Sequence, residues 1–361
     1  MNKYNYQWNY KKNSVYDSIF FIFPFWFSVL YFFLIKLFGE YDNLIFLISY
    51  ILLAETHFAS TWTSYLNSSN ILYFKKRKII FYYIPLIIII FVLIISFFIS
   101  LELALFIGSI FSAVHVTRQS TGIIALYRRN KSKYYSKQRI YNNISIYLGS
   151  ATFLMIGFKR FYLELERVER LFIFNLLNEN TILFLIKLIN VSSVVSFIGI
   201  WIFYILSILS EFNPYEKKSK ISLPKLIVLS YSIFLYSPYL FVDKIVHAVG
   251  MGVGIHYIQY LGLVWLLNKR KYISKNHSKG LGDYILVFIS QNYKIRFLYL
   301  MTYALLSFVA FQGGIRFDKL KPDTIFYSIP LSLQFVHYYI DAFLWKFSNP
   351  FIRESVLKYL K

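Results

Sequence analysis

Apolar residues run along this chain in long blocks separated by short polar or basic stretches. A buried helix of a water-soluble protein seldom stays apolar over such a length. The runs Ile79–Ser100 and Thr181–Leu209 each exceed the roughly 20 residues that a helix needs to cross the hydrocarbon region of a bilayer. The blocks predict spans at about 17–37, 43–66, 79–99, 102–127, 141–159, 183–209, 223–242, 245–267, 295–314 and 324–347. The expected fold class is all-α, a polytopic transmembrane helical bundle of about ten spans. No connection exceeds about 28 residues, so the expectation is a single integral membrane domain over 1–361 with the lipid bilayer as its first partner.

The connections carry an orientation, because segments next to spans are enriched in Lys and Arg on the cytoplasmic side. Basic residues stand in alternate segments: Lys3, Lys11 and Lys12; Lys75, Lys76, Arg77 and Lys78; Arg128, Arg129, Lys131, Lys133, Lys137 and Arg139; Lys217, Lys218 and Lys220; Lys269, Arg270, Lys271, Lys275 and Lys279; Arg353, Lys358 and Lys361. The segments between them are short or balanced, as in 159–182, where Lys159, Arg160, Arg167 and Arg170 meet Glu164, Glu166, Glu169 and Glu179. Both termini are therefore expected in the cytoplasm, and the localisation is read as multi-pass in a bacterial inner membrane. Within 160–178, Leu165, Val168, Phe172 and Leu176 recur at helical spacing, which suits an interfacial helix or an ordinary structured loop. The apolar run Ile19–Phe38 is too long for a signal-peptide core and lacks a small-residue cleavage site after it, so it is expected to remain as the first span.

Composition agrees and narrows the chemistry. The chain has 361 residues, 57% of them hydrophobic, and a mean hydropathy of +0.51. Its formal charge of +22 lies in clusters between apolar runs and not along one helix face, so it reads as topology and nucleic acid is not an expected partner. The abundance of Lys, Asn, Ile, Phe and Tyr fits the codon usage of an A/T-rich genome. No cysteine is present, which excludes disulfides, thiolate ligands and cysteine nucleophiles.

Against this background the ionisable residues inside spans stand out, since each costs roughly 2.5–3.5 kcal/mol at a helix centre on insertion scales. His57, His115, His256 and His337 fall in the second, fourth, eighth and tenth expected spans, all running from outside to inside. His115 and His256 each precede a cytoplasmic basic residue, Arg128 and Lys269, by 13 positions, His337 precedes Lys346 by nine and His57 precedes Lys75 by 18. At about 1.5 Å per residue these positions share one zone, from mid-membrane into the cytoplasmic half. Each histidine also has a polar residue four positions on: Thr61, Gln119, Tyr260 and Asp341. That spacing places the pair on one helix face, where an oxygen can fix the tautomer of a ligating imidazole, in its own helix or a neighbour's. Glu55 and Arg118 lie at comparable depth, and a pairing of Arg118 with Asp341 or Glu55 would lower the cost of both charges. The alternative is that the histidines serve as separate hydrogen-bonding residues between helices.

His247 follows Asp243 by one turn near the outer start of its span, and His277 sits in a basic loop. Trp62, Trp265 and Trp345 near span ends suit an interfacial aromatic belt. The G-x-G-x-G spelling over Gly250–Gly254 follows no strand, so it indicates close helix packing or room for a ligand and no nucleotide.

Imidazoles without thiolates suit iron, copper, zinc or haem, and an apolar surrounding favours oxygen chemistry on a lipophilic small-molecule substrate. The leading expectation is a non-haem iron held by His57, His115, His256 and His337, with Asp341, Gln119, Glu55, Arg118 and Tyr260 around it, oxidising a lipid or isoprenoid. In carrying four histidines on separate spans, the chain resembles the Brp/Blh-type integral-membrane non-haem iron carotenoid oxygenases. That resemblance implies a helical bundle with an iron bound by these four residues. The histidine-box desaturases and hydroxylases differ, because their H-x-x-x-H and H-x-x-H-H clusters do not occur here. A transporter or channel using His, Glu55, Arg118 and Asp341 as an ion path, and a bis-histidine haem carrier, are the other classes these residues admit. Nothing in the sequence sets the oligomeric state.

Overall fold

The computed structural model of the chain describes residues 14–127, 135–164, 174, 177–210, 223–272, 280–292, 296 and 323–360. Helices joined by short turns make up those residues, with no strand among them. Six helices are long and apolar enough to cross a membrane: Gly39–Leu66, Ile79–Ile99, Leu101–Leu126, Glu179–Leu209, Leu223–Leu240 and Ile245–Lys271. They coincide with six of the ten expected spans and mark the chain as a membrane protein.

The other four expected spans differ from this pattern for separate reasons. The first is two helices, Val15–Ile22 and Trp26–Leu37, bent by 59°. Pro24 lies in the break, where its missing N–H and fixed φ interrupt the helical ladder. The fifth falls in the Tyr135–Phe158 helix, whose buried Asn142, Ser145, Ser150 and Thr152 make it more polar than those six. The tenth falls in the Asp323–Leu344 helix, which carries Gln334, His337 and Asp341. The ninth, 295–314, lies outside the described residues except Arg296, as do Leu165, Val168, Phe172, Leu176, His277 and most of the basic loops.

The chain folds into two compact units, one of residues 1–46 and 116–259 and the other of 47–115 and 260–360. Each junction falls inside a continuous helix, so no linker in the sequence announces it. In the first unit the Glu179–Leu209 helix packs along Tyr135–Phe158. Its opposite face, with Val191, Val195, Ile198, Ile202 and Ile205, is exposed at the 3.6-residue period of a lipid-facing stripe. The glycines at 250, 252 and 254 belong to this unit and are packing residues. A Cβ at Gly252 would stand 2.6 Å from the Leu235 carbonyl oxygen, one at Gly250 would stand 3.2 Å from the Tyr31 hydroxyl, and one at Gly254 would strike the Phe27 ring. Of the two uses expected for this stretch, close helix packing is the one realised.

The second unit is held by the Asp323–Leu344 helix lying along Ile84–Ile94. Phe74 and Phe81, stacked at 4.1 Å between ring centroids, share a core with Val336, Ile340 and Leu344. This packing fixes the rotation of the Asp323–Leu344 helix, and with it the direction of His337 and Asp341 on its other side.

Candidate metal centre

The stretch that ends at His57 is wound more widely than an α-helix, over Tyr50–Glu55, and returns to α geometry at Thr56–Trp62. Such widened turns shift the register of the side chains that follow them and recur at functional sites. Here they leave Glu55, His57, Phe58 and Thr61 all buried. Within the second unit, His57, His115 and His337 come together from three helices, with ring centroids 4.5 Å apart for His57 and His337, 4.9 Å for His115 and His337, and 6.4 Å for His57 and His115.

The closest approach is between His57 Nε2 and His337 Nε2, at 2.8 Å. Two imidazole lone pairs repel at that distance, so either a shared proton or a cation must lie between them. The surrounding network decides which nitrogen of His337 is available. Its Nδ1 is 2.8 Å from Thr61 Oγ1. Thr61 in turn donates to Asp341 Oδ1 at 3.1 Å, and Tyr260 donates to the same oxygen at 3.0 Å. With the Thr61 hydroxyl proton directed at the Asp341 carboxylate, the Thr61 oxygen accepts from His337 Nδ1–H. The Nε2 lone pair of His337 then points at the other histidines. Oriented imidazoles of this kind are what a metal site requires from its outer partners.

His256 stands one turn before Tyr260 on the unbroken Ile245–Lys271 helix. Each of His57, His115, His256 and His337 offers one ring nitrogen, and these nitrogens all lie within 4.8 Å of one another. Ligands on opposite sides of a single ion, at about 2.1 Å each, are about 4.2 Å apart, so a spread of 4.8 Å is close to a coordination sphere. The four histidines form a group that could hold a metal ion. Three are fully buried and His115 is intermediate.

The polar partners are assigned differently from the one-turn pairs read in the sequence. Thr61 follows His57 on its helix but serves His337. Tyr260 follows His256, yet its hydroxyl goes to Thr61, at 2.6 Å, and to Asp341, while its ring lies 4.2 Å from that of His57. Asp341 stays near its own histidine, with Oδ2 3.8 Å from His337 Nε2, and it also lies 4.0 Å from His115 Nε2. Gln119 gives its side-chain amide to the main-chain oxygen of His256, at 3.2 Å, and so braces a backbone.

Arg118 is exposed on the helix flank that also exposes Phe111 and Val114. A long cationic side chain there can extend toward a polar boundary, which costs less than burial. Glu55 is buried two positions before His57 but is not a member of the four-histidine group.

Two aromatic residues not singled out in the sequence complete the walls. The ring of Tyr338 lies 5.0 Å from that of His115 at an interplanar angle of 36°, and Phe58 stands edge-on to His337 at 5.0 Å. Adjacency to a histidine in the sequence was the only signal for either. Trp345, expected in an interfacial belt, lies 5.7 Å from Tyr260 between ring centroids.

The chain matches no family model, and no curated protein or solved structure is significantly similar to it.

Proposed function

We propose that this chain is a membrane-embedded, histidine-ligated metal oxygenase or oxidase that acts on a lipophilic substrate such as a lipid or isoprenoid. The carrying observation is the convergence of four imidazole nitrogens in a buried, thiolate-free group. Neutral nitrogen donors in an apolar surrounding suit non-haem iron, with copper and zinc as the other metals of the same donor class. A bound iron would supply the one-electron and dioxygen chemistry that no side chain provides. This reading agrees with the resemblance to the Brp/Blh-type oxygenases and extends it to no particular substrate.

The residues of the chain then have defined tasks. His57, His115, His256 and His337 bind. Thr61 and Asp341 hold the His337 ring in one tautomer, and Tyr260 anchors Asp341 while its ring screens His57 from water. His115 is the least buried of the four and shares its helix with the exposed Phe111 and Val114, so an apolar molecule arriving from lipid would meet the site there. A haem shared by His57 and His337 is disfavoured, because a separation of 2.8 Å between their nitrogens leaves no space for a macrocycle between them.

Metal analysis tests the proposal directly. Protein purified in detergent and loaded anaerobically with ferrous iron is expected to hold about one iron per chain and to lack a Soret band. Failure to retain iron, copper or zinc under any loading condition would remove the oxygenase reading and leave the ion path. A Soret band would replace it with a haem protein.

The proposal includes ten spans in a bacterial inner membrane with both termini cytoplasmic, supported by the alternation of basic segments. Reporter fusions after residues 132, 218 and 275 are expected to report the cytoplasm, and those after 170 and 318 the opposite side. Two or more reversals would overturn the topology.

A further inference from the structure

The unit formed by residues 1–46 and 116–259 contains its own line of polar side chains. His247, 3% exposed, places Nδ1 2.8 Å from the Tyr31 hydroxyl and Nε2 3.1 Å from Asp42 Oδ2. Lys244 Nζ lies 2.5 Å from the same carboxylate oxygen. The Lys244 side chain is 54% exposed and that of Asp42 15% exposed, whereas Tyr31 is 0% exposed. The line therefore begins at the exposed surface of the unit and ends on a phenol sealed inside it. The rings of Tyr31 and Phe46 cover His247 at 5.9 and 6.4 Å. Among the described residues, Tyr31 and Asp42 are titratable groups hydrogen-bonded to the His247 ring, and the Lys244 ammonium meets Asp42. Asp243, the acidic residue nearest in sequence, turns away to pair with Arg160 at 2.9 Å.

Histidine is the side chain that can donate from one ring nitrogen while accepting at the other. With the Asp42 carboxylate as acceptor, His247 carries its proton on Nε2, so Nδ1 accepts the hydrogen bond of the Tyr31 hydroxyl. This polarity permits two coupled transfers. The Tyr31 O–H bond breaks as Nδ1–H forms, and Nε2–H breaks as an O–H bond forms on Asp42, which passes its proton to water. The imidazole is neutral before and after, and the charge left behind is a phenolate on Tyr31 that accepts a hydrogen bond from the new Nδ1–H of His247. We propose that Asp42, His247 and Tyr31 form a proton relay that releases the phenolic proton of Tyr31 to the aqueous end of these helices and, in reverse, returns it. A purely structural latch would use the same contacts without moving a proton, and the two differ in the sign of one measurement.

The experiment places 3-nitrotyrosine at position 31 in the full-length protein, because its phenolate absorbs in the visible and reports one site among many tyrosines. After an alkaline pH jump, the rate of phenolate formation is read by stopped flow. Asp42→Asn is expected to slow that rate by about 100-fold, and His247→Phe at least as much, the scale of a lost acid–base partner. Lys244→Met is expected to change it little. Should Asp42→Asn leave the rate unchanged or raise it, as the loosening of a latch would, the relay is wrong. Each variant is checked for a monodisperse detergent profile. If nitration disrupts packing, 3-fluorotyrosine at position 31 followed by fluorine NMR gives the same rate comparison, with the same outcome deciding against the relay.

Discussion

Purified His337→Ala is expected to keep its helical fold and to lose its metal entirely under loading conditions that saturate the parent protein. His337 is held by several partners in this structure: His57 Nε2 at 2.8 Å, Thr61 Oγ1 at 2.8 Å and the ring of His115 at 4.9 Å between centroids. Its removal takes away a donor nitrogen and also separates the Thr61–Asp341–Tyr260 network from the group it orients. The loss should exceed the about 10–100-fold weakening typical of changes to outer partners. His115→Ala, the least buried member, is expected to lose metal too, but with less effect on stability, because less packing is removed. Elemental analysis of each variant, beside a detergent elution profile, makes the measurement. His337→Gln, which keeps most of the volume, guards against misfolding as the cause. Variants that fold normally and keep a full complement of metal would show that these imidazoles are not ligands, and the proposed function would fall with them.

The parts of this site that the sequence made legible are those set by distance along a helix. Counting residues from His115 to Arg128 and from His256 to Lys269 places both histidines at one depth, and that inference needs only the rise per residue. Long apolar runs likewise announce six spanning helices. What stayed hidden depends on rotation about helix axes, which the sequence does not encode locally. One-turn spacing correctly identified Thr61, Tyr260 and Asp341 as oxygens near imidazoles, but it could not tell that Thr61 would serve His337 on another helix. Nor could it tell that Gln119 would reach a main-chain carbonyl, or that Arg118 would lie on the same flank as Phe111 and Val114. The widened turns at Tyr50–Glu55 alter rotation just before His57 and carry no sequence mark. His247 illustrates the same limit: Asp243 is four positions away, whereas its actual partners, Asp42 and Tyr31, belong to segments about 200 residues distant.

Thr61→Val is expected to be among the most damaging conservative substitutions in the chain, a conclusion opposite to the mild effect that its place toward the end of a span would suggest. Thr61 is 1% exposed, and its hydroxyl meets Tyr260 at 2.6 Å, His337 Nδ1 at 2.8 Å and Asp341 Oδ1 at 3.1 Å. Valine keeps the shape and removes all three contacts. The His337 Nδ1–H then has no acceptor in a dry site, a penalty of roughly 1–3 kcal/mol for a buried unsatisfied group. The ring can relieve it by moving its proton to Nε2, which closes the nitrogen that faces His57. Metal affinity should therefore fall by about 10–100-fold, as read by competition with a chromogenic chelator. Thr61→Ser, which restores the hydroxyl, should return most of that loss. Asp341→Asn should sit between them, since an amide oxygen still accepts from Thr61 and Tyr260 but no longer carries the charge that raises imidazole basicity. If Thr61→Val binds metal as tightly as the parent protein, His337 does not depend on this network for its tautomer. The order Thr61→Ser, Asp341→Asn, Thr61→Val in increasing damage is the signature that a merely structural hydroxyl would not produce.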